Sequence, residues 1–282
     1  MFKKLMSAYI TPLSPVPTSV KPALNLKIPV RAILFDIYGT LFISKAGDIS
    51  LSKKEAKIAS ALNGLCAKYA VNKPVDLLME HFYRTIENIH ESLKKTGIDF
   101  PEVHIDRTWM DVLNFKNINI ARNFAIEYEM IVNPVYPMPG LNNVLKTISD
   151  HHLYMGIISN AQFFTPHLFD LFCGAMPEHL GFHPDLIFYS FQHHHAKPSL
   201  YMFNKAIEQI KKIGLTPQEV LYVGNDMLND IYPAHLVGFQ TGLFAGDARS
   251  LRLRKNNPKC NTLTPDAVFT NLKQLLFMLT NP

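Results

Sequence analysis

At 282 residues the chain can bury a large core, as one big domain or two. With 48% hydrophobic and 18% charged residues it has the composition of a soluble globular protein, and no apolar run reaches the ~18–20 residues that span a bilayer. The net charge of +5 is mild and, outside 249–255, scattered, so no nucleic-acid surface is indicated; Cys66, Cys173 and Cys260 are too few and too far apart for a disulfide framework or a CxxC metal site and fit a reducing compartment.

Residues 1–29 carry Pro12, Pro15, Pro17, Pro22 and Pro29 and read as an extended arm. Lys3 and Lys4 resemble the start of a signal peptide, but no apolar core follows before Pro12, so a cytoplasmic location is expected. The stretch RAILFDIYGTLFIS at 31–44 organises the rest. Its Ile33-Leu34-Phe35 run has no polar alternation, which suits a strand buried on both faces. The run ends at Asp36, followed by Gly39 and Thr40; open α/β sheets place their chemistry at such strand ends, and Asp36 is the candidate nucleophile.

The pattern then turns helical. Ile58, Ala59, Leu62, Leu65, Cys66 and Tyr69 share one face, and Ser52 with Glu55 makes a capping box before them. Leu78, Phe82, Ile86, Ile89 and Leu93 repeat in the same way between Pro74 and Gly97. Two more helices are expected near 102–115 and 119–131, so that 46–138 reads as an all-helical insert closed by Pro134, Pro137 and Pro139.

From Pro139 helix and strand alternate. Strands are expected at 153–158, 185–189, 219–223, 240–244 and 267–269, and helices at 141–149, 198–212, 230–237 and 272–279. Such alternation implies an α/β fold with a doubly wound parallel sheet and right-handed crossovers. Asp36 with Thr40, Ser159 with Asn160, Lys197, and Asp226 with Asp230 then converge on one rim. A nucleophilic carboxylate, hydroxyl and amide donors, a lysine and an acidic pair suit displacement at a negatively charged centre.

With DIYGTL from Asp36, ISN around Ser159, AKPSLY around Lys197 and VGNDMLND ending at Asp230, in that order and spacing, the chain resembles the haloacid dehalogenase (HAD)-like hydrolases from about Arg31 onward. The resemblance implies a Rossmann-like core at 30–45 and 139–282, with an α-helical C1 cap at 46–138. It implies that Asp36 forms a covalent ester, Ser159 bonds the transferring group, and Lys197 holds the nucleophile and the substrate's negative charge. Asp226, supported by Asp230, would hold Mg²⁺ together with Asp36 and the backbone carbonyl of Tyr38. The substrate would be a small anionic molecule; homodimer formation is left open.

Tyr38 departs from the pattern of the family's phosphatases, which place a second aspartate there as general acid and base. A phenol with an unperturbed pKa of ~10 replaces that acid poorly. The family's dehalogenases do carry D-x-Y-G-T-L and need no acid, but they work without metal and use a cap arginine close after the first motif. Here Lys45 is the one basic residue in 42–52, and no arginine follows Arg31 before Arg84. The leading reading is Mg²⁺-dependent hydrolysis of a small phosphorylated metabolite. The alternatives are a metal-independent 2-haloacid dehalogenase and a binding protein that has lost turnover.

Several other features have plainer readings. His193, His194 and His195 read as a polar loop leading to Lys197. Asp48 could stand in for the missing acid, but reads as solvated or as a turn cap. Phe163, Phe164, Phe169 and Phe172 read as core, with Phe163 or Phe164 at a pocket edge; Arg249, Arg252, Arg254 and Lys255 read as solvated loop charges.

Overall fold

A computed structural model describes residues 2–45 and 56–277, with side chains from 58 in the second segment. The expected capping box at Ser52 and Glu55, Asp48, and the end of the last helix at Leu279 lie outside these residues. None of the described helices is long and apolar enough to cross a membrane.

The Ile33-Leu34-Phe35 run lies in an interior strand of a seven-stranded sheet, third from one edge. The strands are β1 (Ala23–Leu24), β2 (Ala32–Phe35), β5 (Tyr154–Ser159), β6 (Phe182–Tyr189), β7 (Val220–Gly224), β8 (Gln240–Phe244) and β9 (Ala267–Phe269), in the order β6-β5-β2-β7-β8-β9-β1. All pairings are parallel except β1 with β9. Every residue of β2, β7 and β8 is buried, as a strand covered on both faces requires. The chain leaves β2 towards β5 on one side and later returns to β7 on the other. Such a reversal opens a crevice at the strand C-termini, which here is the rim at Asp36.

Alternate residues of β2 face opposite layers. Ile33 and Phe35 pack with Leu141, Val144 and Ile148 of α6 (Leu141–Asp150) and with Leu168 and Phe169 of α7 (Pro166–Cys173). Ala32 and Leu34 pack with Met202, Phe203, Ala206 and Ile210 of α9 (Tyr201–Lys212) and with Ala234 of α10 (Tyr232–Leu236). The other described helices of this half are α8 (Ser190–His193) and three 3₁₀ turns, the last at Leu272–Leu276. The helix expected at 230–237 begins instead as a π-helix at Met227–Ile231.

Between β3 (Phe42–Ser44) and β4 (Val135–Pro137) stand α2 (Ala56–Lys68), α3 (Val75–Lys95), α4 (Ile105–Leu113) and α5 (Ile118–Val132). Their apolar faces close on a separate core around Trp109, which stacks on Phe82 at 4.0 Å between ring centres. β3 and β4 pair antiparallel where the chain enters and leaves these helices, and Ser44 donates to Asn133 across them at 2.9 Å. The sequence gives no strand signal at β4, because Pro134, Pro137 and Pro139 surround it. It holds as one edge of an isolated two-stranded pair, where proline is tolerated.

The arm at 1–29 is not wholly extended, contrary to expectation. Phe2–Ser7 forms a helix, α1, whose Met6 is fully buried in the main core, and β1 adds an antiparallel edge to the sheet. Tertiary contact decides α1, since six residues are too few to hold a helix alone. Tyr9, just beyond it, donates to the buried Glu127 of α5; Lys68 (2.8 and 2.6 Å) and Tyr69 also bond that carboxylate. Burial would raise the Glu127 pKa, but these donors outweigh it and lower it from 4.5. A carboxylate depressed in the fold contributes stability above its unfolded pKa and loses it as pH falls. Glu127→Gln is expected to cost about 2–3 kcal/mol in urea unfolding at pH 7, and the gap to wild type should close below about pH 4.5. An equal gap at both pH values would refute the charge-based account of this latch.

Candidate active site

The rim of β2, β5 and β7 gathers the polar groups expected there. Asp36 follows β2, and its N–H donates to Val223 of β7 at 2.9 Å. Ser159, the last residue of β5, donates to Asp36 Oδ1 at 2.9 Å. Lys197 Nζ donates to the same oxygen at 2.7 Å, to Tyr222 Oη at 3.0 Å, and to Asp230 Oδ1. Among the described residues no donor reaches Asp36 Oδ2. One carboxylate oxygen is thus pinned and the other left open.

The Lys197 side chain is only 3% exposed. Burial alone would lower its pKa, but Asp230 and Asp36 outweigh that and hold the ammonium above the ordinary lysine value. Asp230 is raised to about 6, first by burial, with Asp36 and Asp226 adding to it against the pull of Lys197. Gly224 makes room for this carboxylate: a Cβ there would lie 2.4 Å from Asp230 Cγ. Asp230 Oδ2 in turn accepts from the Asp226 N–H at 2.9 Å.

Thr40 and Asn160 hold the frame. The Thr40 hydroxyl donates to Asn225 Oδ1 at 3.1 Å, and Asn225 donates to the Ser250 carbonyl at 2.6 Å. Gly39, at φ +83°, turns the chain where a Cβ would strike Ser250 Cβ at 2.5 Å. Asn160 takes the Lys197 N–H at 2.6 Å and returns a bond to its carbonyl at 3.3 Å. Both side chains bond protein groups, which is the geometry of positioning residues.

Asp226 caps the π-helix through Oδ1, which accepts from Leu228 N–H at 2.8 Å and Asn229 N–H at 3.3 Å. Arg254 reaches the same carboxylate with Nε at 3.1 Å and Nη2 at 2.7 Å. The loop arginines are therefore not all solvated charges. Arg249 bonds Asp247, and Arg252 bonds the carbonyls of Arg249 and Leu251. Segment 250–254 runs beside 225–227 by main-chain bonds, which delivers Arg254 to Asp226. No local motif announces this contact, which joins residues 28 positions apart.

Asp36, Tyr38, Lys197, Asp226 and Asp230 line one cavity of about 400 Å³. It also takes in Ser44 from β3, Glu102, Glu129 and Asn133 from the segment between β3 and β4, Gln162 and Phe164 from the loop after β5, and Arg252 and Arg254. Phe164 lines it, while Phe163 packs under Arg122 at 5.5 Å. The Tyr38 hydroxyl is bonded to Thr165 at 2.9 Å, and burial pushes its pKa well above the ordinary phenol value. The three histidines diverge: His195 stacks on Tyr201 at 4.2 Å, His194 meets His104, and His193 lies against Phe188. No group of three or more His, Cys, Asp or Glu side chains placed to hold a metal occurs among the described residues.

The donors around Asp36 nevertheless fit a hard cation. Asp36 and Asp226 offer carboxylate oxygens to one cavity, and the carbonyl of Tyr38 follows two residues after Asp36. Arg254, 39% exposed, supplies positive charge at Asp226.

Residues 30–238 match the family model for haloacid dehalogenase-like hydrolases. Among solved structures the chain is similar to a 2-haloacid dehalogenase from Pseudomonas syringae pv. Tomato DC3000 (19% identity, 89% of this chain and 98% of that one, TM-score 0.55). It is also similar to a HAD phosphatase from Thermococcus onnurineus (16%, 89% and 98%, 0.54). A third is the magnesium-bound HAD-hydrolase YfnB of Bacillus subtilis (16%, 89% and 99%, 0.50). No curated protein gives a significant match. The family match covers most of the chain, and the parallel sheet and the rim at Asp36 agree with it: the protein belongs to the haloacid dehalogenase-like hydrolases.

Proposed function

We propose that the protein is a Mg²⁺-dependent hydrolase of a small phosphorylated metabolite, acting through phosphorylation of Asp36. The balance of charge in the cavity is the observation that carries this reading. Asp36, Asp226 and Asp230 face Lys197, Arg252 and Arg254, so three aspartates meet three cations, with Glu102 and Glu129 besides. Among the described residues no net positive charge is left for an anionic substrate. A divalent cation bound by Asp36, Asp226 and the Tyr38 carbonyl would supply it and neutralise charge in phosphoryl transfer.

The same balance speaks against a metal-free dehalogenase. A 2-haloacid needs a cation for its carboxylate, and the described cavity wall contributed by residues 102–133 offers two glutamates and no cation. In the phosphatase reading, Asp36 Oδ2 attacks phosphorus while Ser159 and Lys197 hold Oδ1. Lys197 also faces the phosphoryl oxygens, and water then hydrolyses the aspartyl phosphate. Residues 46–138 serve as the cap that shapes the leaving-group side, over a core of 30–45 and 139–282.

Mg²⁺ titration with thermal unfolding tests the metal. At a concentration a hundred times Kd the ion is expected to stabilise the protein by about 2.7 kcal/mol, and Asp226→Asn should remove that gain. Arg254→Met should tighten Mg²⁺ by up to about fivefold, since a partly exposed ion pair is worth about 1 kcal/mol or less. Absence of any Mg²⁺ effect on unfolding, with phosphate-ester turnover indifferent to EDTA, would sink the reading.

A further inference from the structure

We propose that Glu129, reaching the cavity from the last turn of α5, is the acid and base of this hydrolase: it protonates the departing alcohol and then deprotonates the attacking water. This rests on the phosphatase reading above. An alkyl phosphate leaves as an alkoxide far too basic to depart unprotonated near neutral pH, so the cavity must hold a proton donor.

The structure narrows the choice. The Tyr38 phenol is held protonated by burial, and its hydroxyl is engaged by Thr165. Glu102 is bonded on both oxygens: Oε1 accepts from the Val103 N–H at 2.9 Å and from Gln162 at 3.1 Å, and Oε2 from Ser190 at 2.7 Å. Asp226 and Asp230 are held by Arg254 and Lys197. Glu129 differs from all of these. Its Oε1 accepts only from the Asn133 amide, at 3.2 Å, and among the described residues nothing donates to Oε2 and no cation pairs with it.

Among the described residues the groups that face Glu129 from the surrounding elements are Tyr38 after β2, Tyr83 of α3 and Tyr128 of α5, none of them cationic. Across the cavity lie Asp36, Glu102, Asp226, Asp230, Lys197, Arg252 and Arg254. Burial raises the Glu129 carboxyl to about 7, against the single Asn133 bond, so both protonation states are accessible near neutrality.

The proton balance closes. As Asp36 Oδ2 bonds phosphorus and the P–O bond to the alcohol breaks, the Glu129 proton passes to the alcohol oxygen. Water then gives a proton to the Glu129 carboxylate and adds to phosphorus as the Asp36–phosphate bond breaks. Inorganic phosphate, free Asp36 and protonated Glu129 result.

The test compares Glu129→Gln with wild type on two probes: p-nitrophenyl phosphate, whose phenolate leaves without help, and whichever alkyl phosphate of a panel wild type hydrolyses fastest. The amide keeps the shape and the Asn133 partner but carries no acid proton. The expected result is a fall in kcat of about 10²–10⁴-fold for the alkyl phosphate, with a much smaller fall in formation of the phosphoenzyme from the aryl ester in a single-turnover burst. Equal losses on both probes would mark a structural role and overturn the proposal, as would no loss on either. A wild type inactive on every phosphomonoester would instead defeat the phosphatase reading, and the role of Glu129 with it.

Discussion

Lys197→Met is expected to abolish turnover and to weaken the fold together. Among the described residues the ammonium is the one cation bonded to both Asp36 and Asp230, and both partners are buried. Removing it leaves two carboxylates in a low-dielectric site with Tyr222 as the remaining side-chain donor to Asp230. Breaking a buried pair from one side costs about 3–5 kcal/mol, more than the pair's own net worth, because the abandoned charges stay buried. Part of this cost is relieved by protonating Asp230, which already sits near 6. The variant should therefore regain stability in urea unfolding as pH is lowered from 7 towards 5, relative to wild type. Its kcat should fall by at least about 10³-fold, through loss of both nucleophile positioning and phosphoryl charge stabilisation. A Lys197→Met protein as stable as wild type at pH 7 would mean that the cluster is solvated and that these energetics are wrong.

Asp36→Asn is expected to separate the two effects. The amide oxygen can still accept from Ser159 and Lys197, so the frame persists. Lys197 keeps Asp230 as its counter-ion, and Asp230 loses one of the like charges that raise its pKa. Stability should stay within about 1 kcal/mol of wild type. Turnover should fall on the order of 10⁴-fold or more, as when a covalent nucleophile is removed. An Asp36→Asn protein that retained a tenth of wild-type activity would place the chemistry elsewhere.

The sheet was legible because a buried parallel strand leaves a strong trace: Ile33-Leu34-Phe35, the 220–223 run and their polar ends could be placed from apolar continuity alone. The four rim stretches followed for the same reason, since each lies at a strand end or in the loop before a helix. Other features depend on tertiary contact and left no such trace. Helix α1 is held by packing of Met6, and β4 is masked by its own prolines. Tyr222 reads as a strand residue, yet its hydroxyl meets Lys197 and Asp230. Arg254 and Glu129 reach the cavity from segments whose local patterns give only a charged loop and an amphipathic helix. Neither periodicity nor spacing distinguishes a glutamate at the end of a helix that faces solvent from one that faces a nucleophile.

Tyr38 is consequently less decisive than the sequence suggests. In the structure it is a partly buried ring with a tethered hydroxyl, and the carboxyl we propose in place of the missing acid comes from α5. The central claim is that Asp36 accepts a phosphoryl group. Mass spectrometry of the enzyme, acid-quenched within the first turnover of a phosphomonoester, tests this most directly. The expected result is a phosphoryl adduct on the peptide bearing Asp36, removed by hydroxylamine and absent from Asp36→Asn. Turnover with no adduct on that peptide, or an adduct formed only from a 2-haloacid and carrying its carbon skeleton, would contradict it.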